Sequence, residues 1–260
     1  MGDRKKKTNE LIRRRKKKRF IRKTIIFFIL ALTALTAFLL KHPYFNITAV
    51  EVTNNRLLDK DLIESLSNIN FGSNIFYLNK KEVRNQILTN SYISDVKVHR
   101  KLPSTVVLEV VERRPQYYIV KGKEYIIVDN EGVALESVLS IAASRADSKS
   151  LVEITGLDTS QIKVGEKIEK NNKKIEQIEV FSDLIQRNKS EATITAIDLE
   201  RDADIKVYFK EIMVKVGNLS DMENKLNNKA INIIIQKNLN DLKGYIDLSF
   251  DGDPVMSIEE

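Results

Sequence analysis

The residues that could do chemistry are few and scattered. His42 and His99 are the only histidines in 260 residues, and there is no cysteine. A zinc site needs a cluster of such ligands, which two isolated histidines do not supply. Asp202 with Asp204, and Asp251 with Asp253, could offer oxygens to Ca²⁺. The same spacing is also the ordinary chemistry of a turn. Gly-x-Ser-x-Gly and His-Glu-x-x-His are absent, and the nine glycines are too dispersed to cradle a phosphate. A glycosidase pair would need a separation that only a cleft can fix. The pattern predicts a protein that is not an enzyme, with no cofactor and no metal.

What remains is recognition by surface. Tyr245-Ile-Asp-Leu-Ser-Phe250 reads as a closing strand, with Gly244 before it and Asp251-Gly252-Asp253-Pro254 after it. Ile246, Leu248 and Phe250 fall on one face, leaving Tyr245 and Asp247 on the other. If no other strand pairs with it, its edge can take a partner strand through backbone hydrogen bonds. Residues 251–260 read as a flexible tail.

The element that positions all of this lies near the start. Thr24 to Leu40 is seventeen residues without a charge, Pro or Gly, closed by Lys41. As a helix it is about 26 Å long, at the short end of what crosses a bilayer core of about 30 Å. It is apolar on all faces, unlike the helix of a soluble core. A cleaved signal is the competing reading, but its cleavage-like site, Ala34-Leu35-Thr36, lies inside the apolar run instead of after it. The expectation is an uncleaved, single-pass anchor over residues 24–40.

Charge orients that anchor. Residues 1–23 carry thirteen Lys and Arg against Asp3 and Glu10, while the rest of the chain holds 30 basic and 34 acidic residues. Short basic flanks stay cytoplasmic, which places the tail inside and residues 41–260 outside. Next to a span, the basic run orients the chain and attracts anionic lipid headgroups, so no nucleic acid partner is expected. Without disulfides, an exported domain relies on its apolar core.

Beyond the anchor, Ile47 to Thr53 alternates as a strand, and Leu58, Leu62, Ile63 and Leu66 make one helix face. Asn79-Lys-Lys-Glu82 has capping-box-like spacing for a second helix, with Val83 and Ile87 on its inner side. Strands follow at Tyr92 to His99 and Thr105 to Glu112, stopped by Arg113-Arg114-Pro115. That order, β-α-α-β-β, suffices for a small sheet backed by two helices. From residue 116 the pattern predicts strands at 117–120, 125–128, 151–155, 193–199, 205–209 and 212–216. A helix from Asn171 presents Ile175, Ile178, Phe181 or Ser182, and Ile185, and another is led by a capping box at Ser220 to Glu223. Residues 137–150 are ambiguous.

The phrases Tyr44-Phe45-x-Ile47, Gly72-x-Asn74-Ile75-Phe76, Arg100-x-Leu102-Pro103 and Glu112-Arg113-x-Pro115 together resemble a POTRA domain. They are most similar to the one in the bacterial division family FtsQ/DivIB, as is Asp129-x-x-Gly132 just beyond. The resemblance implies an α+β chain: a transmembrane helix, a POTRA domain at 44–115 and a larger mixed β-sheet domain with packed helices at 116–250. It implies a scaffold for septal cell-wall synthesis, located at the division septum. The implied partners are the small division protein FtsB or DivIC, paired with FtsL, and septal cell-wall synthases. The contacts it suggests are Tyr245, Asp247, Ser249, Phe250 and Gly252. Two other classes compete: a POTRA-bearing transport or assembly factor, which would bring barrel-like strands, and a membrane-tethered wall hydrolase, which would bring a catalytic set.

Overall fold

The computed structural model describes residues 2–259, and side chains from residue 16 onward. Most of the basic tail expected to meet lipid headgroups, residues 1–15, therefore lies outside the described side chains. Helix α1 runs Gly2–Lys41, and its stretch from Lys16 to Lys41 is long and apolar enough to cross a membrane. Its hydroxyls are satisfied within the helix: Thr24, Thr33 and Thr36 donate to the carbonyls of Phe20, Leu30 and Leu32 at 2.8–3.0 Å. A hydroxyl spent this way suits a solvent that offers no hydrogen bonds.

The chain divides into two units. The first takes in everything up to Thr53, then residues 61–86 and 97–109. The second takes in residues 54–60, 87–96 and all from Val110 onward. Strands β2 (Ile93–Lys101) and β3 (Thr105–Glu112) run through both. They form a three-stranded sheet with β1 (Ala49–Thr53), in the order β1-β3-β2. Within the first unit, β1 lies parallel to β3, Ala49 opposite Thr105 and Thr53 opposite Glu109. A parallel pair requires a long crossover, and helices α2 (Lys60–Ser67) and α3 (Lys80–Ile87) supply it. The expected cap forms, with Asn79 Oδ1 accepting from Glu82 N at 3.3 Å. Ile63, Val83, Val106 and Leu108 are buried, and Gly72 takes the positive φ that its bend needs.

The second unit is built on nine strands. These are β4 (Pro115–Lys121), β5 (Glu124–Asp129), β6 (Ala134–Val138), β7 (Val152–Thr155), β8 (Ala196–Asp198), β9 (Ile205–Phe209), β10 (Ile212–Gly217), β11 (Lys243–Asp247) and β12 (Val255–Glu259). Their order is β12-β11-β10-β9-β8-β7-β4-β5-β6. Hairpins give the antiparallel pairs. Of the parallel pairs, β4–β7 spans the β5–β6 hairpin, while β7–β8 and β10–β11 each enclose a helix, α4 (Asn172–Arg187) and α5 (Ile231–Gln236) respectively. Tyr117, Phe181, Ile197, Val207, Leu226 and Ile246 belong to one core. Between β4 and α4 a buried polar pair is mutually satisfied: Ser182 Oγ donates to Gln116 Oε1 at 2.7 Å, and Gln116 Nε2 donates back to the Ser182 carbonyl at 3.2 Å.

One ambiguity is resolved and two expectations are corrected. Residues 134–138, partly inside the ambiguous stretch, form β6. The capping box at Ser220 does not start its helix. Asp221 instead turns left-handed at φ 55°, and the backbone widens into a π-helical stretch, Asn224–Ala230, leading into α5. A wider turn keeps residues four apart on one face, which matches burial of Met222, Leu226, Ala230 and Ile234. Most consequential, residues 255–259 are not a flexible tail. They pair antiparallel with β11, Lys243 opposite Glu259 and Asp247 opposite Val255.

Candidate functional site

That pairing changes what the C-terminal end of the sheet offers. β11 is not the edge expected from sequence but an interior strand, parallel to β10 on one side and antiparallel to β12 on the other. β12 is the terminal strand. Its Met256 and Ile258 lean on the core, while Val255, Ser257 and Glu259 are exposed. The alternation of Met256 and Ile258 was the available signal. The two strands approach closely: a Cβ on Gly244 would stand 2.3 Å from the Ser257 carbonyl oxygen.

The five candidate contacts fall along this region. Tyr245 lies opposite Ser257, its ring 5.2 Å from Lys215 Nζ. Asp247 closes β11, its Oδ1 accepting from Ser249 N at 3.0 Å and Ser249 Oγ at 2.6 Å. Partial burial works against the Asp247 carboxylate, but these hydrogen bonds and the Lys215 charge outweigh it and hold its pKa below the usual value. Phe250 is about half exposed, and Gly252 sits beside its ring at φ 142°. Asp247, Ser249, Phe250 and Gly252 thus shape the connection into β12. Tyr245 contributes a side chain, while its strand is already paired on both sides.

A second constellation, quoted from sequence only as motifs, lies where β3 meets β4. Glu112 accepts three backbone N–H bonds, from Arg56 (2.9 Å), Leu57 (2.8 Å) and Leu58 (3.1 Å). Arg113 Nη1 donates to Asp129 Oδ2 at 2.8 Å and to Glu131 Oε2 at 3.1 Å. The Asp129 side chain is 1% exposed, and its other oxygen accepts from Glu131 N (2.9 Å) and Val133 N (2.7 Å). Gly132, at φ 78°, completes that turn under Ile175. Every acceptor of these two carboxylates is therefore engaged in holding backbone or a guanidinium. The Glu-Arg-x-Pro and Asp-x-x-Gly motifs form a structural clamp.

Four of the other chemical candidates have structural partners. His42 Nδ1 accepts from Tyr44 N at 3.2 Å, and His99 faces Glu109 at 3.6 Å. Asp202 pairs with Lys174 at 2.9 Å, and Asp204 stands 4.0 Å from Lys206. Among the described residues, no group of three or more His, Asp or Glu is placed to hold a metal. A groove of about 400 Å³ is lined by Arg56, Leu57, Val110, Glu112 and Arg114 beside the clamp.

The fold and these motifs define a POTRA protein with a long N-terminal apolar helix and an appended mixed-sheet domain. Residues 45–113 match the POTRA domain of FtsQ type, and residues 117–249 match the C-terminal domain of cell division protein FtsQ/DivIB. The chain is 34% identical over 255 residues to cell division protein DivIB of Clostridium botulinum strain Hall, covering 97% of each. It is 37% identical over 221 residues to DivIB of Clostridium acetobutylicum, covering 85% of this chain and 86% of the relative. Cell division protein FtsQ of Rickettsia bellii matches over 88 residues at 33% identity, 34% of this chain and 33% of the relative. The chain belongs to the FtsQ/DivIB family of cell division proteins.

Proposed function

We propose that the chain is a non-enzymatic, single-pass scaffold of the division septum, with its basic tail cytoplasmic and both folded units outside. It works by contact. A partner segment adds as a further strand to the outer edge of β12, and the exposed Val255, Ser257 and Glu259 read its side chains. Phe250 and the Asp247–Gly252 connection border the same edge. The partner class is the small bitopic division protein of FtsB or DivIC type, paired with FtsL, and through it the septal cell-wall synthases. Confinement to one membrane raises effective concentration, so each contact can be weak.

The observation that carries this reading is the position of β12 at the end of a nine-stranded sheet, paired with β11 on its inner side. Such an edge is a template for strand addition. The test uses full-length chain recovered from membranes with its bound partners. Met256→Pro removes one N–H from the outer side of β12, whereas that of Ser257 faces Tyr245 of β11, and Val255→Asp adds a charge on the edge. Both variants should recover about tenfold less of the small partner, a loss of about 1.4 kcal/mol. Undiminished recovery with both would contradict edge pairing. A fluorescent fusion should gather at mid-cell, and uniform envelope signal would contradict the septal role.

A further inference from the structure

Three loops of the first unit are tied together at the end from which α1 emerges. Gly72 N donates to the Ile47 carbonyl at 2.9 Å, and Ile47 N to the Ser73 carbonyl at 2.8 Å. Thr48 bonds Ser104 twice, backbone to backbone and hydroxyl to hydroxyl, each at 2.9 Å. Arg100 Nη2 donates to the carbonyls of Phe76 and Leu78 at 3.2 and 2.8 Å. The bundle is fixed to the helix itself. Buried Asn74 donates Nδ2 to the Leu39 carbonyl at 2.9 Å, one of the last-turn carbonyls that a helix cannot satisfy internally. The ring of Phe45 bridges Phe38 of α1 and Phe76, at 6.4 and 5.3 Å.

Leu39 is the last residue but one of the apolar run, which ends at Lys41. Its carbonyl therefore marks the depth at which hydrocarbon gives way to headgroups. The loops bonded around it lie at that depth, and each exposes a large side chain: Tyr44 (61%), Phe71 (52%), Tyr77 (65%) and Leu102 (57%). A cluster of such residues in water is unusual and marks a contact surface. Tyrosine in particular concentrates at the headgroup layer, where its ring meets acyl chains and its hydroxyl meets water. Exposed Lys41 closes α1, and exposed Lys80 and Lys81 follow Tyr77 at the start of α3, cations that suit anionic headgroups, while Asp61 and Glu64 line the groove beside Phe71.

We infer that this end of the first unit is a lipid-contact surface, with Tyr44, Phe71, Tyr77 and Leu102 seated in the headgroup layer of the bilayer that α1 crosses. The occupant is lipid because the surface is continuous with α1, whose Phe27 and Leu32 are themselves 67% and 64% exposed and need acyl chains around them. The inference rests on reading α1 as a span. Seated this way, the POTRA end of the chain is held down on the membrane instead of swinging from a flexible stalk.

The chain has no tryptophan, so a single introduced one reports its own surroundings. The experiment uses full-length chain in phosphatidylcholine–phosphatidylglycerol vesicles carrying brominated acyl chains, with Leu30→Trp, Phe71→Trp and Tyr77→Trp made separately. Leu30→Trp should be strongly quenched. Phe71→Trp and Tyr77→Trp should be quenched to about half that extent, as expected of rings at headgroup depth, and be shielded from aqueous iodide. If Leu30→Trp is quenched while the other two respond only to iodide, the inference is overturned. Shielding from iodide without quenching by bromine also overturns it, and places protein, a partner or a second copy, on this face. Failure of Leu30→Trp itself to be quenched would remove the span reading beneath it.

Discussion

Arg113 and Asp129 lie sixteen residues apart in sequence and 2.8 Å apart in space, the guanidinium one-fifth exposed and the carboxylate side chain almost wholly buried. The pair joins the residue that follows β3 to the turn that follows β5. A carboxylate this deep is tolerable only because both its oxygens are engaged, one by Arg113 and the other by two backbone N–H groups.

Removing the acid should therefore cost more than a surface ion pair would. Asp129→Ala leaves the Arg113 guanidinium without its buried partner and two N–H groups without an acceptor, a loss of about 3 kcal/mol. Glu131, 59% exposed and also bonded to Arg113, is the internal comparison. Glu131→Ala should cost less than about 1 kcal/mol. Urea unfolding of the two variants measures both, and equal losses would contradict the assignment.

Glu112 makes a different kind of prediction, because it holds backbone and not a charge. In Glu112→Ala the amides of Arg56, Leu57 and Leu58 lose their acceptor. Hydrogen exchange at those three amides should accelerate while that of β5 is unchanged. Unaltered protection at 56–58 would show that some other group satisfies them.

Gly244 reports on the last strand. In Gly244→Ala the new methyl would meet the Ser257 carbonyl at 2.3 Å, closer than any real contact, so β12 must move away. Residues 255–259 should then exchange rapidly and become open to carboxypeptidase, with the β4–β5 hairpin unaffected. Retained protection at Ser257 and Ile258 would contradict the close pairing.

Alkali should weaken the chain before it ionises the buried phenols. Burial raises the pKa of Tyr117 well above the ordinary value of 10.0, against a lowering hydrogen bond from Ser182. Burial and the nearby Glu153 push Tyr118 up to about 12. These groups are raised in the folded state and neutral when protonated. Their contribution is thus intact below about pH 10, where the unfolded phenol titrates, and is lost as pH rises through about 12. Thermal stability followed with tyrosine absorbance should fall from pH 10 upward, the slowest phenols ionising together with unfolding. Full ionisation of all eight tyrosines at pH 10 in a folded chain would be the opposite result.

Much of this was readable beforehand, for reasons that differ by element. The long N-terminal helix was legible because Thr24 to Leu40 is an unbroken apolar run. The helix faces at Ile175, Ile178 and Phe181 were legible because a 3.6-residue period is local information. Glu112, Arg113 and Asp129 stood out as motifs, but their joint task depends on two turns meeting in space. β12 was missed because a five-residue strand turns only Met256 and Ile258 inward, behind an Asp-Gly-Asp-Pro stretch that resembles an ending. Ser220 was misread because its capping spacing is genuine, but Asp221 turns left-handed and the helix that follows opens into a π stretch.

The central claim is that the chain works in division by lending the edge of β12 to a partner strand. It is tested most directly by placing a photo-crosslinking amino acid in turn at Val255, Ser257 and Glu259 of the full-length protein in dividing cells. The account predicts one covalent adduct, shared by these positions, with a small single-pass membrane protein of the DivIC type. Adducts absent from all three positions, but formed from β6 at the opposite end of the sheet, would contradict it.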